Sequence, residues 1–147
     1  MTFRGFPSIG LPGTIDNDIT ASDYTIGLDN AINTTVQMID CLRNTCESHA
    51  RLNVVEVMGR DCGQIALYAA IASGAVAVAI PEVPFDEAGC LEKIRTLREK
   101  GKRSMIVVVS EGMRNADGTP YSETLAQKIQ AETGVETKFA RLAHVVR

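Results

Sequence analysis

The sequence lacks the long apolar segments that membrane and secreted proteins carry. None of its 147 residues lies in a run approaching the roughly 20 apolar residues of a membrane span. The first residues, Met1 to Arg4, do not form the apolar run of a secretory signal. We therefore expect a cytoplasmic protein with no membrane partner.

Cysteine and histidine are scarce, with four and two residues in the chain. They lie at Cys41, Cys46, Cys62, Cys90, His49 and His144. No cysteine pair has the C-x-x-C spacing of zinc sites and redox motifs, and two histidines supply few further metal ligands. We expect reduced, mostly buried thiols rather than a disulfide framework or a cysteine-based metal site.

A basic surface for nucleic acid is also missing. The chain has 15 Lys and Arg against 18 Asp and Glu, and its basic cluster is limited to Lys100, Lys102 and Arg103. Domains that bind nucleic acid need a larger positive face, so we expect no such partner. The 45% hydrophobic and 22% charged composition is that of an ordinary globular domain with its own core.

Apolar runs alternate with helical patterns along the chain. After a short apolar opening strand, apolar residues from Leu28 to Leu42 recur at three- and four-residue steps, which predicts a helix. Its candidate caps are Ser22 and Asp23. Further strands are predicted at 52–58, 75–80, 105–109 and 137–143, and helices at 64–73, from Asp86 or Glu87 to Gly101, and from a Ser122 cap to Gly134. The alternation predicts a single α/β domain over 1–147, with a doubly wound, mainly parallel sheet and helices on both faces.

The chemically unusual residues gather where the predicted strands end. They occupy 14–18 after the opening strand, 58–61 after the second, 81–82 after the third and 110–113 after the fourth. Ligands of open parallel sheets bind beyond the carboxyl ends of the strands, so we expect these segments around one crevice. Glu56, in mid-strand, is predicted to be a structurally paired carboxylate.

The loop 14–18 carries two carboxylates and a hydroxyl. Before it, Pro12 fixes one backbone torsion and Gly13 permits close approach to a ligand. The spacing of Asp16 and Asp18 suits phosphoryl transfer, in which one Asp accepts a hydroxyl proton and the other faces a metal ion or its waters. A surface turn rich in Asp and Asn is the alternative for such a pattern.

Three further charged residues have two interpretations each. Arg60, in the turn 59–63, meets an anion together with free backbone N–H groups, or pairs with a carboxylate such as Asp61. Glu111 binds sugar hydroxyls or forms a structural salt bridge. Arg51 lies roughly 20 Å from the crevice at about 3.3 Å per strand residue, so it is a surface charge or reaches a neighbouring subunit's site.

Four segments together resemble the bacterial-type 6-phosphofructokinases. They are 10–18 (Gly-Leu-Pro-Gly-Thr-Ile-Asp-Asn-Asp), 23–27 (Asp-Tyr-Thr-Ile-Gly), 54–60 (Val-Val-Glu-Val-Met-Gly-Arg) and 110–113 (Ser-Glu-Gly-Met). The likeness covers nearly the whole chain, in the family's order and spacing. It implies transfer of phosphate from ATP to the 1-hydroxyl of fructose 6-phosphate, giving fructose 1,6-bisphosphate in glycolysis, with Mg²⁺, in an allosteric homotetramer.

The resemblance also implies roles at the centre of the reaction. Asp16 is the implied base for the sugar hydroxyl, while Thr14 and Arg60 steady the moving phosphoryl group. Asp18 would hold Mg²⁺ indirectly, through water. The implied contacts to the sugar itself include Ile15, Met58, Gly59 and Glu111.

The remaining implied contacts are to sugar phosphate. Arg51 and Lys138 would reach it from an adjacent subunit, and His144 and Arg147 would contact the 6-phosphate. The family usually has Arg at position 138, and Lys keeps the charge but loses the two-pronged grip on phosphate. An exposed chain end is the alternative for His144 and Arg147.

The phosphoryl donor depends on Gly13, because pyrophosphate-dependent relatives typically carry Lys there. Gly13 favours ATP; a pyrophosphate-dependent enzyme and a noncatalytic sugar-phosphate-binding subunit are the alternatives. The glycine-rich nucleotide loops of the family would precede Met1. We therefore expect an internal fragment that lacks these loops and the C-terminal part, and that is inactive alone.

An effector surface is the last implication of the resemblance. Its residues are Arg43, Gly74, Lys100, Lys102 and Arg103. Val76 stands where bacterial members often carry a metal-binding Glu, which argues against regulation by ADP. A solvated basic helix end is the alternative for the Lys100 cluster.

Overall fold

A four-stranded parallel sheet forms the centre of the computed structural model, which describes residues 7–147. The elements, in chain order, are α1 (Ile26–His49), β1 (Leu52–Val57), α2 (Gln64–Ser73), β2 (Ala77–Ala79), α3 (Glu87–Glu99), β3 (Met105–Ser110), α4 (Tyr121–Thr133), β4 (Thr137–Arg141) and the short 3₁₀ helix Ala143–Val146. The strands lie in the order β2-β3-β1-β4, and each neighbouring pair is parallel. The predicted α/β class is confirmed.

The two central strands are buried along their whole length, because helices cover both faces of the sheet. On one face, Leu52 and Val54 of β1 pack with residues of α3 and α4 such as Ile129. On the other face, Val55 packs with residues of α1 and α2 such as Leu28. Alternate side chains of one strand therefore serve two hydrophobic clusters, which confirms the doubly wound arrangement.

Three predicted strands differ from the structure by more than one residue, while 52–58 and 105–109 are each off by a single residue at the C-terminal end. The third predicted strand, 75–80, shrinks to β2, because the N–H of Ala75 still bonds to Ala70 O at the end of α2. The last, 137–143, ends at Arg141, because Ala143 begins the 3₁₀ helix. The opening strand is not formed within residues 7–13, and residues 1–6 lie outside the described part of the chain.

Two of the predicted helix caps are wrong. Helix α1 begins after Thr25, not after Ser22 or Asp23, and the Thr25 N–H donates to Asn17 Oδ1 at 2.8 Å. Ser122 is buried and turns its hydroxyl to Glu56, so it does not cap α4. The Asp86 cap of α3 is confirmed, since its Oδ1 accepts from the Gly89 N–H at 2.9 Å.

The cysteines are free thiols in different surroundings. Cys46 and Cys90 are buried, Cys62 is half-buried and Cys41 is exposed, so only part of the predicted burial holds. Burial raises the pKa of the Cys90 thiol to about 11. Among residues 7–147, no helix is both long enough and apolar enough to cross a bilayer.

The packing of α4 on the sheet can be tested at Ile129, which is fully buried. Ile129→Ala should lower the free energy of unfolding by about 2–5 kcal/mol, because it removes buried methyl groups and leaves a cavity. Urea denaturation measures this loss. Ile71→Ala, at an exposed position of α2, should change stability by less than about 0.5 kcal/mol. Equal losses in both variants would contradict the described core.

Candidate active site

The loop 14–18 is held in place by Asn17. This residue has a φ of 55°, in the left-handed region that Asn tolerates better than most residues. Its Oδ1 accepts from the Thr25 N–H at 2.8 Å, and its Nδ2 donates to Gln64 Oε1 at 2.8 Å. The loop is thereby tied to the starts of α1 and α2. This role could not be predicted beyond an Asn in a turn, because the partner Gln64 is remote in the chain.

Arg60 lies between the two carboxylates of this loop. Its guanidinium nitrogens are 3.9 Å from Asp16 Oδ2 and 3.5 Å from Asp18 Oδ2. The alternative pairing with its neighbour Asp61 is therefore not the one that the structure shows. Both carboxylates of the loop and one cation from the β1–α2 turn share one small region.

The β1–α2 turn is strained and is fixed by Glu111. Gly59 has a φ of 141° and Arg60 a φ of 52°, both positive. Glu111 Oε1 accepts from the N–H groups of Gly59, at 3.2 Å, and Arg60, at 2.9 Å. A Cβ at Gly59 would lie 2.4 Å from Cys62 O, and one at Gly112 would lie 2.3 Å from Arg60 O. Glycine is therefore required where these two turns touch.

The backbone N–H groups of this turn are not free, which corrects one expectation. We expected them to meet an anionic ligand, but Gly59 and Arg60 donate to Glu111, and Gly63 donates to Glu82 Oε1 at 2.6 Å. Side chains of the protein itself act as the anions here. A bound phosphate group is thus left to cationic side chains rather than to the backbone of this turn.

The surroundings of Asp16 shift the pKa of its carboxyl group. Burial raises its pKa above the ordinary value, and the charges of Asp18 and Glu111 add to this effect. The guanidinium of Arg60 and the hydroxyl of Thr14 act in the opposite direction. A carboxyl group that is buried yet faces a cation has the character of a general base.

These residues surround a cavity of about 650 Å³, a size that fits a small molecule. Its lining consists of Gly13, Thr14, Ile15, Asp16, Gly27, Asn30, Met58, Arg60, Glu111 and Arg147. Seven of the predicted site residues are in this set, and Gly59 lies beside it in the turn. Gly27 and Asn30 were not predicted, because a glycine and an asparagine within a helix carry no chemical signal in the sequence.

Besides Gly59, three further predicted contact residues, Arg51, Lys138 and His144, lie outside the cavity lining. His144 is exposed in the 3₁₀ helix, three residues before Arg147. Arg51 and Lys138 lie at the opposite edge of the sheet, where both face Glu136. Arg51 Nε is 2.8 Å from Glu136 Oε2, without pointing its N–H at that oxygen, and Lys138 Nζ is 3.2 Å from Oε1. These two cations lower the pKa of Glu136.

The predicted effector residues also lie at the edge of the sheet opposite the cavity. Arg43 donates to Ser73 O, next to Gly74 at the end of α2. Arg103 donates to the carbonyl oxygens of Glu47 and Ser48 at the end of α1. Lys100 and Lys102 are exposed, while Val76 is buried in the core.

The chain is similar to a known protein family, to curated sequences and to solved structures. The family model described as "Phosphofructokinase" matches residues 1–147. The ATP-dependent 6-phosphofructokinase 1 of Clostridium perfringens is 48% identical over 143 residues, which cover 97% of this chain and 43% of that protein. The chain spans less than half the length of the curated relatives it matches.

Two solved structures share the fold. Phosphofructokinase from Saccharomyces cerevisiae superposes with a TM-score of 0.85 at 40% identity, over 94% of this chain and 19% of that one. Pyrophosphate-dependent phosphofructokinase from Nitrosospira multiformis superposes with a TM-score of 0.77 at 27% identity, over 93% of this chain and 37% of that one.

The electrostatics of the cavity predict how the pKa of Asp16 responds to its neighbours. Asp18→Asn should lower this pKa, because it removes a nearby negative charge, and Arg60→Met should raise it, because it removes the cation. Carbon-13 NMR titration of the carboxyl groups measures both shifts. Asp117→Asn, at an exposed turn that does not line the cavity, is the control and should have no effect. An Asp16 pKa that is insensitive to both neighbours would contradict the described geometry.

Proposed function

Because this chain belongs to the phosphofructokinase family, we propose that it supplies the sugar-phosphate part of an active site that phosphorylates fructose 6-phosphate with ATP. The product is fructose 1,6-bisphosphate, a glycolytic intermediate made in the cytoplasm. The observation that carries this proposal is the buried Asp16 carboxyl, which faces Arg60 in a cavity of about 650 Å³. The nucleotide contacts are expected from parts of the protein outside these residues.

In the proposed reaction, Asp16 accepts the proton of the sugar 1-hydroxyl as this oxygen attacks the γ-phosphorus. A carboxylate whose pKa is raised by burial is better matched to this proton than an exposed one. Protonated Asp16 cannot act as a base, so turnover should fall as the pH drops through its raised pKa. The charge on the transferred phosphoryl group increases the need for a nearby cation, a role that suits the exposed guanidinium of Arg60.

The sugar would lie against side chains that line the cavity. Ile15 and Met58 offer apolar contact, and Thr14 offers a hydroxyl for the phosphoryl group. Glu111 already uses Oε1 on the backbone of the β1–α2 turn, so its other oxygen is the one for a sugar hydroxyl. Arg147 lines the cavity and is the proposed contact to the 6-phosphate, with His144 beside it.

Magnesium fits the acidic loop. Carboxylate oxygens are hard ligands, and Mg²⁺ keeps several of its waters when it binds together with substrate phosphates. Asp18, whose side chain is partly exposed, would contact such waters. The ion would neutralise charge on the phosphates of ATP.

ATP is the proposed donor because Gly13 stands at the cavity wall, at the position where the family resemblance implies Lys in pyrophosphate-dependent enzymes. Three of the curated relatives that the chain matches are named ATP-dependent. A coupled assay of the full-length protein with fructose 6-phosphate decides the donor. Turnover with ATP and Mg²⁺, but not with pyrophosphate, supports the proposal, and the reverse result would reject it.

The basic residues at the far edge of the sheet belong, in this proposal, to contacts between subunits. Arg51 and Lys138 would bind the sugar phosphate of an adjacent subunit in a homo-oligomer, and Glu136 holds both side chains on one surface. The set around Arg43 and Gly74 would bind an effector phosphate. Position 76 offers no acidic side chain to a metal ion, because it is a valine that packs in the core.

The role of Asp16 can be tested with Asp16→Ser in the full-length protein. We expect kcat to fall by roughly 10² to 10⁴, because the general base is removed. The dissociation constant of fructose 6-phosphate, measured by calorimetry, should change little. Asp117→Ser, at an exposed turn, is the matched control and should keep normal turnover. Near-normal kcat in Asp16→Ser would reject the assignment.

Shared sites can be tested by mixing two defective subunits. Arg51→Ala should weaken fructose 6-phosphate binding by about tenfold or more, because a charge-assisted contact to phosphate is worth more than 1.4 kcal/mol. Oligomers that mix Arg51→Ala and Asp16→Ser subunits should regain activity, because some sites combine the intact Asp16 of one subunit with the intact Arg51 of another. No recovery from mixing, together with full activity of Arg51→Ala alone, would make Arg51 a bystander.

A further inference from the structure

Glu56 is a buried carboxylate in the middle of β1, between apolar neighbours. Its two oxygens have separate partners: Oε1 accepts from Arg141 Nε and Oε2 accepts from the Ser122 hydroxyl. The predicted structural pairing of Glu56 is therefore confirmed. The Glu56 carboxylate is buried, whereas the Arg141 side chain is 44% exposed. An ion pair with an exposed partner adds little to stability, because water screens the attraction. The ion pair between Glu56 and Arg141 therefore matters mainly for the segment that it positions.

Arg141 is the last residue of β4 and the direct neighbour of Glu56 across the sheet. Its guanidinium also donates to Glu123 Oε1 at 3.2 Å and lies 5.3 Å from the centre of the Phe139 ring. The next residue, Leu142, donates its N–H to Glu56 O at 3.1 Å. One residue of β1 thus binds the end of β4 twice, through its side chain and through its backbone.

These two contacts of Glu56, to Arg141 and to Leu142, are called the clamp below. The segment that follows them leads directly to the cavity. Ala143 has a φ of 41°, an unfavourable value for a residue with a Cβ. The 3₁₀ helix Ala143–Val146 then buries Val146, and the following residue, Arg147, lines the cavity. Glu56 lies two residues before Met58, which lines the same cavity from β1. The clamp therefore joins the two strand ends that carry Met58 and Arg147.

We propose that Glu56 and Arg141 are positioning residues, whose ion pair fixes the segment 142–147 and so sets where Arg147 meets the phosphate of the sugar. The identity of that ligand rests on the proposed function. Neither residue touches the ligand. The ion pair acts on substrate binding through the backbone at the end of β4, because Arg141 leads into the strained turn at Ala143.

The test uses Glu56→Gln and Arg141→Met in the full-length protein. Glu56→Gln keeps the side-chain volume and the contact to Ser122 but removes the ion pair. We expect the KM for fructose 6-phosphate to rise about tenfold in each variant, equivalent to about 1.4 kcal/mol, with kcat within about twofold and the KM for ATP unchanged. Arg141→Lys, which keeps the cation, should recover most of the affinity.

A matched control separates positioning from general stability. Lys128→Met breaks the ion pair between α4 and Glu87 of α3, on the same face of the sheet but away from the cavity. It should lower the melting temperature without raising the KM for fructose 6-phosphate. An unchanged KM in Glu56→Gln and Arg141→Met, or an equal rise in Lys128→Met, would overturn the proposal.

Hydrogen exchange gives a readout that does not depend on the assigned reaction. Backbone amides at 142–147 should exchange faster in Glu56→Gln and Arg141→Met than in the unmodified protein, and not in Lys128→Met. Unchanged exchange in these two variants would overturn the positioning role. If the unmodified protein does not phosphorylate fructose 6-phosphate, the proposed function fails, and exchange at 142–147 still decides whether the clamp exists.

Discussion

The cavity depends on one interaction, the acceptance of two backbone N–H groups by the Glu111 carboxylate at the end of β3. Those N–H groups belong to Gly59 and Arg60, both in the positive-φ region, and such a turn persists only where neighbouring structure holds it. The same turn directs Arg60 towards Asp16 and Asp18. A contact between two strand ends thus determines the charge arrangement in the loop that precedes α1.

The sheet separates two sets of candidate site residues. Parallel strands bring Met58, Glu111 and Arg147 to the carboxyl edge, around the cavity. The same strands carry Arg51 and Lys138 at their beginnings, at the opposite edge. In the proposed oligomer, one subunit would complete the site of another without any single chain having to span the distance. In that proposal, the length of β1 accounts for residues nearby in the sequence belonging to different sites.

Local signals predicted the elements well, and long-range contacts account for the failures. Helix α2 was predicted to the residue, because Gly74 ends it in the left-handed conformation and its sequence is mostly apolar. Ser122 was predicted as a cap, but its hydroxyl binds Glu56, which is remote in the sequence. The N–H groups of the β1–α2 turn were predicted to be free, but Glu111 binds them from the next strand in the sheet. Asn17 escaped prediction for the same reason, since its ties to α1 and α2 exist only in the folded chain.

A Cβ atom at Gly59 would lie 2.4 Å from Cys62 O, and one at Gly112 would lie 2.3 Å from Arg60 O. Neither position therefore has room for even one methyl group. The backbone at this wall of the cavity therefore cannot be reshaped by substitution without rebuilding both turns. Engineering towards a bulkier or smaller ligand would have to proceed through the side chains that stand on this backbone, of which Ile15 and Met58 are the apolar ones. Laboratory evolution of this domain should accordingly accumulate changes at such side-chain positions while Gly59 and Gly112 stay unchanged.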